Sequence, residues 1–208
     1  QNNKPVSALL RHVTDKNGHI FIGTPNNGFY RWQYPERKIT HFNKQDVLSA
    51  EPGIKDNVMI PCIADHAQNI WFTSNNGIIQ YRQHNQQYYH YQAPATKEVP
   101  AMSETSYIAE DRQHHIWVAT RNNGLYELYF ENNRPVWKNY TVNSGIGLPS
   151  DFNSKIKQDP LDSCLWINNS LALLRFDPYQ KKVLGIFDIQ NGFALDGTGY
   201  GFNLFNNG

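Results

Sequence analysis

The amino-acid sequence predicts an all-β fold, a β-propeller of about four blades. Three observations lead to this prediction. First, a unit of roughly fifty residues recurs along the 208-residue chain. Second, aromatic residues make up 13% of the chain and charged residues only 18%, a composition that favours strands. Third, the apolar runs are short, are separated by Asn-Asn-Gly turns, and lack the helical periodicity of an α-solenoid.

The charge balance excludes one broad class of function. Lys and Arg together number 19, and Asp and Glu number 18, so the net charge is +1. Proteins that bind nucleic acid mainly by neutralising phosphates carry a clear excess of basic residues, so we expect no nucleic-acid partner. No apolar stretch approaches the roughly 18 residues of a membrane-spanning helix. We therefore expect contact with a membrane only through segments outside this sequence.

Each copy of the unit places an aromatic residue in a short apolar run. The aromatics are Phe21, Trp71, Trp117 and Trp166, with spacings of 50, 46 and 49 residues. An aspartate precedes each aromatic by six residues in the first three copies and by seven in the fourth: Asp15, Asp65, Asp111 and Asp159. An Asp before a turn typically accepts backbone N–H bonds. Glycosidase-type catalysis needs two converging carboxylates, whereas these are distributed one per unit, so we interpret them as structural.

Each unit is predicted to form four short antiparallel strands. The first strand ends at the Asp, the second holds the aromatic, and the third and fourth follow the Asn-Asn-Gly hairpin. The third strands are predicted at residues 29–33, 78–82, 124–130 and 171–176, and the fourth at residues 38–42, 87–91, 135–140 and 183–187. Because one such sheet cannot bury both of its faces alone, we expect neighbouring sheets to stack, with the aromatics in the seam.

The repeat also predicts how the chain is divided. We expect blades at residues 6–45, 56–95, 103–142 and 151–190, with a further blade beginning in residues 191–208. The chain is therefore expected to be an arc cut from a larger propeller, and a free-standing four-bladed ring is the alternative. An arc exposes two apolar blade faces, and exposed faces of that size favour association. We therefore expect self-association, as in a homodimer.

The unit resembles the two-component regulator propeller repeat. It reads apolar-x-x-Asp-x-x-Gly-x-apolar-Trp-apolar-x-Thr-x-x-Gly-Leu, and it matches best over residues 109–125 and well over residues 13–29 and 64–78. In that family, such repeats form the periplasmic sensor part of bacterial membrane receptors, whose cytoplasmic part is a histidine kinase, a hybrid kinase-regulator or a diguanylate cyclase. The resemblance implies a non-catalytic, periplasmic sensor domain that binds a small molecule or an oligosaccharide and needs no cofactor.

The hairpin turns supply the candidate ligand-binding residues. Turns and long connections between blades share one end of a propeller blade, where specificity residues are often found. The candidates are Asn26, Asn27, Asn75, Asn76, Arg121, Asn122 and Asn123, together with the connections near Lys55, Lys97 and Asp151. Arg121 is the most informative of them because it adds a charge. In the fourth copy, Asn168-Asn169-Ser170 is interpreted as the replacement for Asn-Asn-Gly. Asn and Gly suit such turns because both tolerate positive φ.

Other chemistry finds little support in the sequence. The eight histidines form neither a His-x-His nor a His-Glu-x-x-His pattern, so we expect no metal site. Cys62 and Cys164 stand in apolar runs and are predicted to be buried free thiols. The run Tyr88-Tyr89-His90-Tyr91 has side chains that stack on sugars, but strand alternation predicts that about two of its tyrosines pack between blades. Two alternatives stay open: a propeller enzyme acting on carbohydrate, and a protein-interaction scaffold.

Overall fold

The computed structural model describes residues 11–24, 27–43, 59–96 and 101–192. Within these residues the chain forms four four-stranded antiparallel sheets, and each sheet keeps its strands in chain order. We call these sheets blades 1 to 4. Their number and topology confirm the predicted fold class. Residues 193–208, where most of a further blade is predicted to begin, lie outside the described residues, as do Asn26, Lys55 and Lys97.

The chain divides into two compact units, Gln1–Gln92 and Ala93–Gly208, and each contains two blades. Blade 1 contains β1 (His12–Thr14), β2 (Ile20–Gly23), β3 (Phe29–Gln33) and β4 (Lys38–Phe42), and blade 2 contains β5 (Ile60–Ala64), β6 (Ile70–Ser74), β7 (Gly77–Arg82) and β8 (Gln87–Tyr91). Blade 3 contains β9 (Thr105–Glu110), β10 (Ile116–Thr120), β11 (Leu125–Glu131) and β12 (Arg134–Tyr140), and blade 4 contains β13 (Asn153–Gln158), β14 (Leu165–Asn169), β15 (Leu173–Asp177) and β16 (Lys182–Phe187).

Aromatic side chains form the seam between the two blades of the first unit. The ring of Phe29 in blade 1 lies 4.7 Å from that of Phe72 in blade 2, and Phe21 lies 6.4 Å from Tyr81. These rings belong to one buried cluster, and the first strands of the two blades lie beside one another. Burying a side chain of this size contributes about 2 kcal/mol, so the seam is a principal source of stability for this unit.

The second unit repeats this arrangement. The indole of Trp117 in blade 3 meets the ring of Phe176 in blade 4 edge to face, with centroids 5.1 Å apart. Leu125, Ile167 and Leu174 complete the same buried cluster. The predicted stacking of sheets with aromatics in the seam is therefore seen in both units. Cys62 and Cys164 are buried free thiols, as predicted.

Strand positions agree with the sequence prediction to within two residues, and the largest difference lies in blade 4. Its third strand is predicted to begin at residue 171 but begins at Leu173. The Asn169 backbone N–H donates to the carbonyl of Ala172 (3.0 Å), and the Leu171 N–H donates to Asn169 Oδ1 (3.1 Å). These bonds hold Leu171 in the turn, where it is exposed.

The interpretation of Asn168-Asn169-Ser170 as the hairpin turn of blade 4 is therefore wrong. Asn168 and Asn169 lie inside β14 and are buried. Asn169 follows Trp166 by three residues, just as Thr120 follows Trp117. Asn169 thus occupies the position of the threonine that ends the second strand. Its backbone N–H closes the turn as the backbone N–H of Thr120 does.

Among the residues that the structure describes, no helix has the length and apolar character needed to cross a membrane.

Candidate functional site

The recurring aspartates hold a turn with one carboxylate oxygen and an indole with the other. In blade 2, Asp65 Oδ1 accepts the backbone N–H of Asn69 (2.8 Å), and Oδ2 accepts the Trp71 indole N–H (2.8 Å). Blades 3 and 4 repeat the indole bond: Trp117 donates to Asp111 (2.8 Å) and Trp166 donates to Asp159 (2.7 Å). This confirms that the aspartates accept backbone N–H bonds. The six- or seven-residue spacing was the available signal for the indole bond, which the sequence analysis missed.

Blade 1 lacks the indole because its aromatic is Phe21. The freed oxygen, Asp15 Oδ2, instead accepts the side-chain amide N–H of Gln83 from blade 2 (3.1 Å) and lies 3.1 Å from His19 Nδ1. Burial raises the pKa of this carboxyl, but the bonds from Gln83 and His19 outweigh it, so the pKa of Asp15 lies below its ordinary value. In blades 2 to 4 the equivalent carboxylate oxygen bonds an indole of its own blade, whereas in blade 1 it joins the blade to blade 2.

In blades 1 to 3, the hairpin turns at the other end of the blade are closed by a hydroxyl and a glycine. In blade 3, the Thr120 hydroxyl donates to the Gly124 carbonyl (2.8 Å) and accepts the Asn123 N–H (3.0 Å). Gly124 has φ +71°, whereas none of the described asparagines of the three Asn-Asn-Gly turns has positive φ. Both residue types tolerate positive φ, but among the described residues of these turns only the glycines adopt it.

The predicted ligand-binding residues differ in how accessible they are. Arg121 and Asn122 are exposed in blade 3, and Asn27 and Asn75 are exposed in blades 1 and 2. Asn76 is half-buried, and its carbonyl lies 3.2 Å from His90 Nε2. Arg121 and Asn122 are therefore the candidates of the second unit whose side chains are accessible.

Asn123, by contrast, serves the fold. Its side chain is buried, and Oδ1 accepts a bond from the Ser103 hydroxyl (3.2 Å). Its carbonyl accepts the side-chain N–H of Asn139 on β12 (2.7 Å). These contacts tie the turn to the outer strand of the same blade. They leave Asn123 poorly placed to contact a ligand.

In the second unit, the turn of blade 3 lies beside the connection that leads to blade 4. The Gly124 N–H donates to the Asp151 carbonyl (3.0 Å), and the Arg121 N–H donates to the Glu104 carbonyl (3.2 Å). We call the surface formed by the exposed Glu104, Arg121 and Asn122 and the half-buried Asp151 the blade 3 rim. It carries one guanidinium, two carboxylates and an amide. Such groups bind hydroxyl-rich or charged small molecules.

The aromatic run on β8 is divided between the two faces of blade 2. Tyr88 is buried in the seam, 5.0 Å from Tyr81. On the opposite face, Tyr91 lies 5.6 Å from Trp71, and the guanidinium of Arg82 lies 4.0 Å above the ring of Tyr89. The side chains alternate between the two faces of β8, as predicted. Tyr88 packs between blades 1 and 2, whereas Tyr91 packs against Trp71 of its own blade.

A buried carboxylate in the second unit went undetected in the sequence. Glu127 on β11 is 1% exposed and accepts bonds from three donors: Lys181 Nζ (2.5 Å), His115 Nδ1 (2.7 Å) and the Tyr140 hydroxyl (2.8 Å). Lys181 comes from the turn between β15 and β16 of blade 4, so the cluster spans the seam. The sequence signal for this cluster was the single acidic residue, Glu127, within the apolar run Leu125–Phe130, where an unpaired charge would be costly.

These contacts set the ionisation of the cluster. Burial raises the pKa of Glu127, but the bonds from Lys181, Tyr140 and His115 and the charge of Lys181 outweigh it, so the pKa of Glu127 lies below its ordinary value. Burial also raises the pKa of Tyr140, and its bond to the Glu127 carboxylate raises it further. Glu127 is therefore ionised and Tyr140 protonated at neutral pH.

The lowered pKa of Glu127 predicts an acid-sensitive seam in the second unit. A carboxyl with a lowered folded-state pKa stabilises the fold above its unfolded-state pKa, and this contribution disappears as the pH falls through the folded-state pKa. We expect Glu127→Gln to cost about 2 kcal/mol at neutral pH. As the pH is lowered below the ordinary glutamate pKa, we also expect the free energy of unfolding to fall less steeply in the variant than in the wild type. Urea denaturation at a series of pH values measures both, and an unchanged acid slope in the variant would contradict this account.

No protein-family model matches the sequence, and no curated protein matches it significantly. Solved structures do. The extracellular domains of two Bacteroides thetaiotaomicron proteins described as hybrid two-component systems are similar in fold. BT3049 gives a TM-score of 0.64 at 20% identity over 93% of this chain. BT4673 gives 0.61 at 19% identity over 83%. The chain spans 24% of the length of each of these domains.

The fold of this chain is similar to that of an enzyme to a comparable degree. A catalytically inactive variant of virginiamycin B lyase from Staphylococcus aureus, solved with quinupristin, gives a TM-score of 0.63 at 14% identity. This match covers 90% of the present chain and 57% of the lyase. At these identities the likeness concerns the fold. The chain is an all-β protein built of propeller blades, with a fold shared by extracellular domains of hybrid two-component systems.

Proposed function

We propose that this chain is part of the ligand-sensing, extracytoplasmic region of a bacterial transmembrane receptor of the two-component or diguanylate cyclase type. We further propose that it lies in the periplasm and is not catalytic by itself. The observation that carries the proposal is the similarity in fold to extracellular domains of hybrid two-component systems over 83% and 93% of the chain. The repeat supports it independently, because its motif resembles that of the two-component regulator propellers.

The blade 3 rim is our candidate for the recognition surface. Arg121 and Asn122 are exposed there, while Asn123 and Gly124 are used to hold the turn. A rigid blade that presents a guanidinium and an amide on a turn suits a polar ligand, which supports a small molecule or an oligosaccharide. Arg121 favours members of that class that carry a carboxylate, because guanidinium binds carboxylate through paired hydrogen bonds.

A propeller enzyme acting on carbohydrate is the second candidate, and the similarity to a lyase favours it. Against it stands the use of the recurring carboxylates. Asp65, Asp111 and Asp159 each bond an indole N–H, and Glu127 is engaged by three donors. A general base has to reach the substrate proton itself, which groups engaged in this way cannot do without losing these bonds.

Titration calorimetry with acidic and neutral oligosaccharides tests the proposal. We expect a uronic-acid-containing oligosaccharide to bind the chain, and Arg121→Ala to weaken that binding about tenfold or more, since one charged contact is worth about 1.4 kcal/mol or more. Arg134→Ala is the matched control: Arg134 is also exposed, but it begins β12 at the opposite end of blade 3. Equal loss in both variants, or no binding across the panel, would contradict the proposed surface and ligand class.

A further inference from the structure

Register defines equivalent positions on the four blades. Residues that pair directly across antiparallel strands project from the same side of the sheet, so each blade has two faces. One face carries the aromatic of the second strand: Phe21, Trp71, Trp117 or Trp166. We call it the aromatic face. The other face carries the residues immediately before and immediately after that aromatic, and we call it the receiving face.

The seams show which faces pack together. In the first unit, the aromatic face of blade 1, with Phe21 and Phe29, covers the receiving face of blade 2, with Phe72 and Tyr81. In the second unit, the aromatic face of blade 3 covers the receiving face of blade 4 in the same way, through Trp117 and Phe176. One kind of seam therefore occurs twice: an aromatic face on a receiving face.

The receiving face of blade 1 is much more exposed than its counterparts. Trp32 and Ile39 pair directly on β3 and β4, in the register positions that Tyr81 and Tyr88 occupy in blade 2. Ile39 is 67% exposed, whereas Tyr88 is 8% exposed. Trp32 is half-buried, whereas Tyr81 is fully buried. The receiving face of blade 1 thus carries apolar side chains like those of a seam, but these side chains are not buried as they are in a seam.

The aromatic face of blade 4 shows the complementary difference. Trp166 is half-buried, while Phe21, Trp71 and Trp117 are at most 1% exposed. Phe187 at the end of β16 lies 5.6 Å from Trp166 and is 37% exposed. Its equivalent in blade 3, Tyr140, packs against the buried seam cluster. The face keeps its aromatic pair and its Asp159–indole bond but leaves the pair accessible.

We propose that these two faces bind each other between two copies of the chain. The aromatic face of blade 4 in one copy would cover the receiving face of blade 1 in the next, with Trp166 and Phe187 against Trp32 and Ile39. Each unit already contains a seam of this kind, in which an aromatic face packs on a receiving face. The two exposed faces have the same complementary character, which identifies a second copy of the chain as the partner. The contact is heterologous, because it joins two different faces. It does not depend on the proposed sensing role.

Sedimentation velocity over micromolar to millimolar concentration tests this directly. We expect the wild-type chain to associate as its concentration rises. Ile39→Asp damages only the receiving face of blade 1, and Phe187→Asp damages only the aromatic face of blade 4. Both residues are exposed, so each variant should fold, which circular dichroism checks. Each variant alone should be unable to form more than trace dimer. Leu161→Asp is the control, since Leu161 is 90% exposed in the β13–β14 turn, outside both strand faces.

Mixing the two variants gives the decisive result. Each retains the face that the other has lost, so an equimolar mixture should form a dimer that cannot grow further. Association of either variant to the wild-type extent, no dimer in the mixture, or a wild-type chain that stays monomeric throughout would each overturn the proposal. Loss of association in Leu161→Asp would do so as well, because the contact would then lie elsewhere.

Discussion

Replacing Asp111 by Ala is expected to lower the free energy of unfolding by about 4 kcal/mol. Asp111 Oδ1 accepts the backbone N–H groups of Gln113 (2.8 Å) and His115 (3.0 Å), and Oδ2 accepts the indole N–H of buried Trp117. The substitution leaves three donors without their acceptor. The indole donor is buried, and a buried unsatisfied donor costs about 1 to 3 kcal/mol, while the two backbone donors lie in a partly exposed turn and add less. Urea denaturation followed by tryptophan fluorescence measures the loss.

Asp188→Ala is the matched control for this prediction. Asp188 also accepts a backbone N–H, that of Asn191 (3.1 Å), but at an exposed 3₁₀ turn. Water can replace that bond, so we expect a cost of about 1 kcal/mol or less. If Asp111→Ala cost no more than Asp188→Ala, the carboxylate–indole bond would not be a principal source of stability for blade 3.

Replacing Gly124 by Ala is expected to destabilise the second unit by about 3 kcal/mol or more. Gly124 has φ +71°, which costs a non-glycine residue about 1 to 2 kcal/mol. A Cβ at this position would also collide with the carbonyl oxygen of Tyr140, the last residue of β12. Because the obstacle is backbone, β12 or the turn has to move, and overpacking of this kind costs about 1 to 3 kcal/mol.

Gly145→Ala separates the two contributions. Gly145 has almost the same conformation, φ +72°, but no atom lies within 4 Å of the position that its Cβ would take. It should therefore show the conformational cost alone, about 1 kcal/mol. Denaturation of the two variants side by side gives the steric cost as their difference. Equal losses of stability in the two variants would mean that β12 moves without cost. That result would contradict the steric role assigned to the close contact between Gly124 and the Tyr140 carbonyl.

Sequence patterns predicted the strands because the signal is local. Hairpin turns, the Asp before a turn and the alternation on β8 are all fixed by neighbours in the chain, and the structure bears them out. The turn of blade 4 was misassigned because Asn169 stands where the other blades have Thr or Ser. Its identity suggested a turn residue, whereas its three-residue separation from Trp166 places it at the end of the strand.

The polar contacts between blades were less predictable than the strands because their partners are distant in the sequence. Glu127 and Lys181 are 54 residues apart, and only the stacking of blades 3 and 4 brings them together. Asp15 and Gln83 meet through the same kind of packing in the first unit. At the rim, sequence identified Arg121 and Asn122 but could not separate them from Asn123, because burial of Asn123 depends on Ser103 and Asn139.

The chemical fate of a bound oligosaccharide tests the central claim, that the chain recognises a ligand and does not transform it. Mass spectrometry of an acidic oligosaccharide, incubated with the chain at a concentration that saturates the calorimetric binding, gives this directly. The account predicts that the sugar is recovered with its mass unchanged and that Arg121→Ala reduces the amount bound. Appearance of shorter or dehydrated products in proportion to the amount of chain added would contradict it and favour a lyase or a glycosidase.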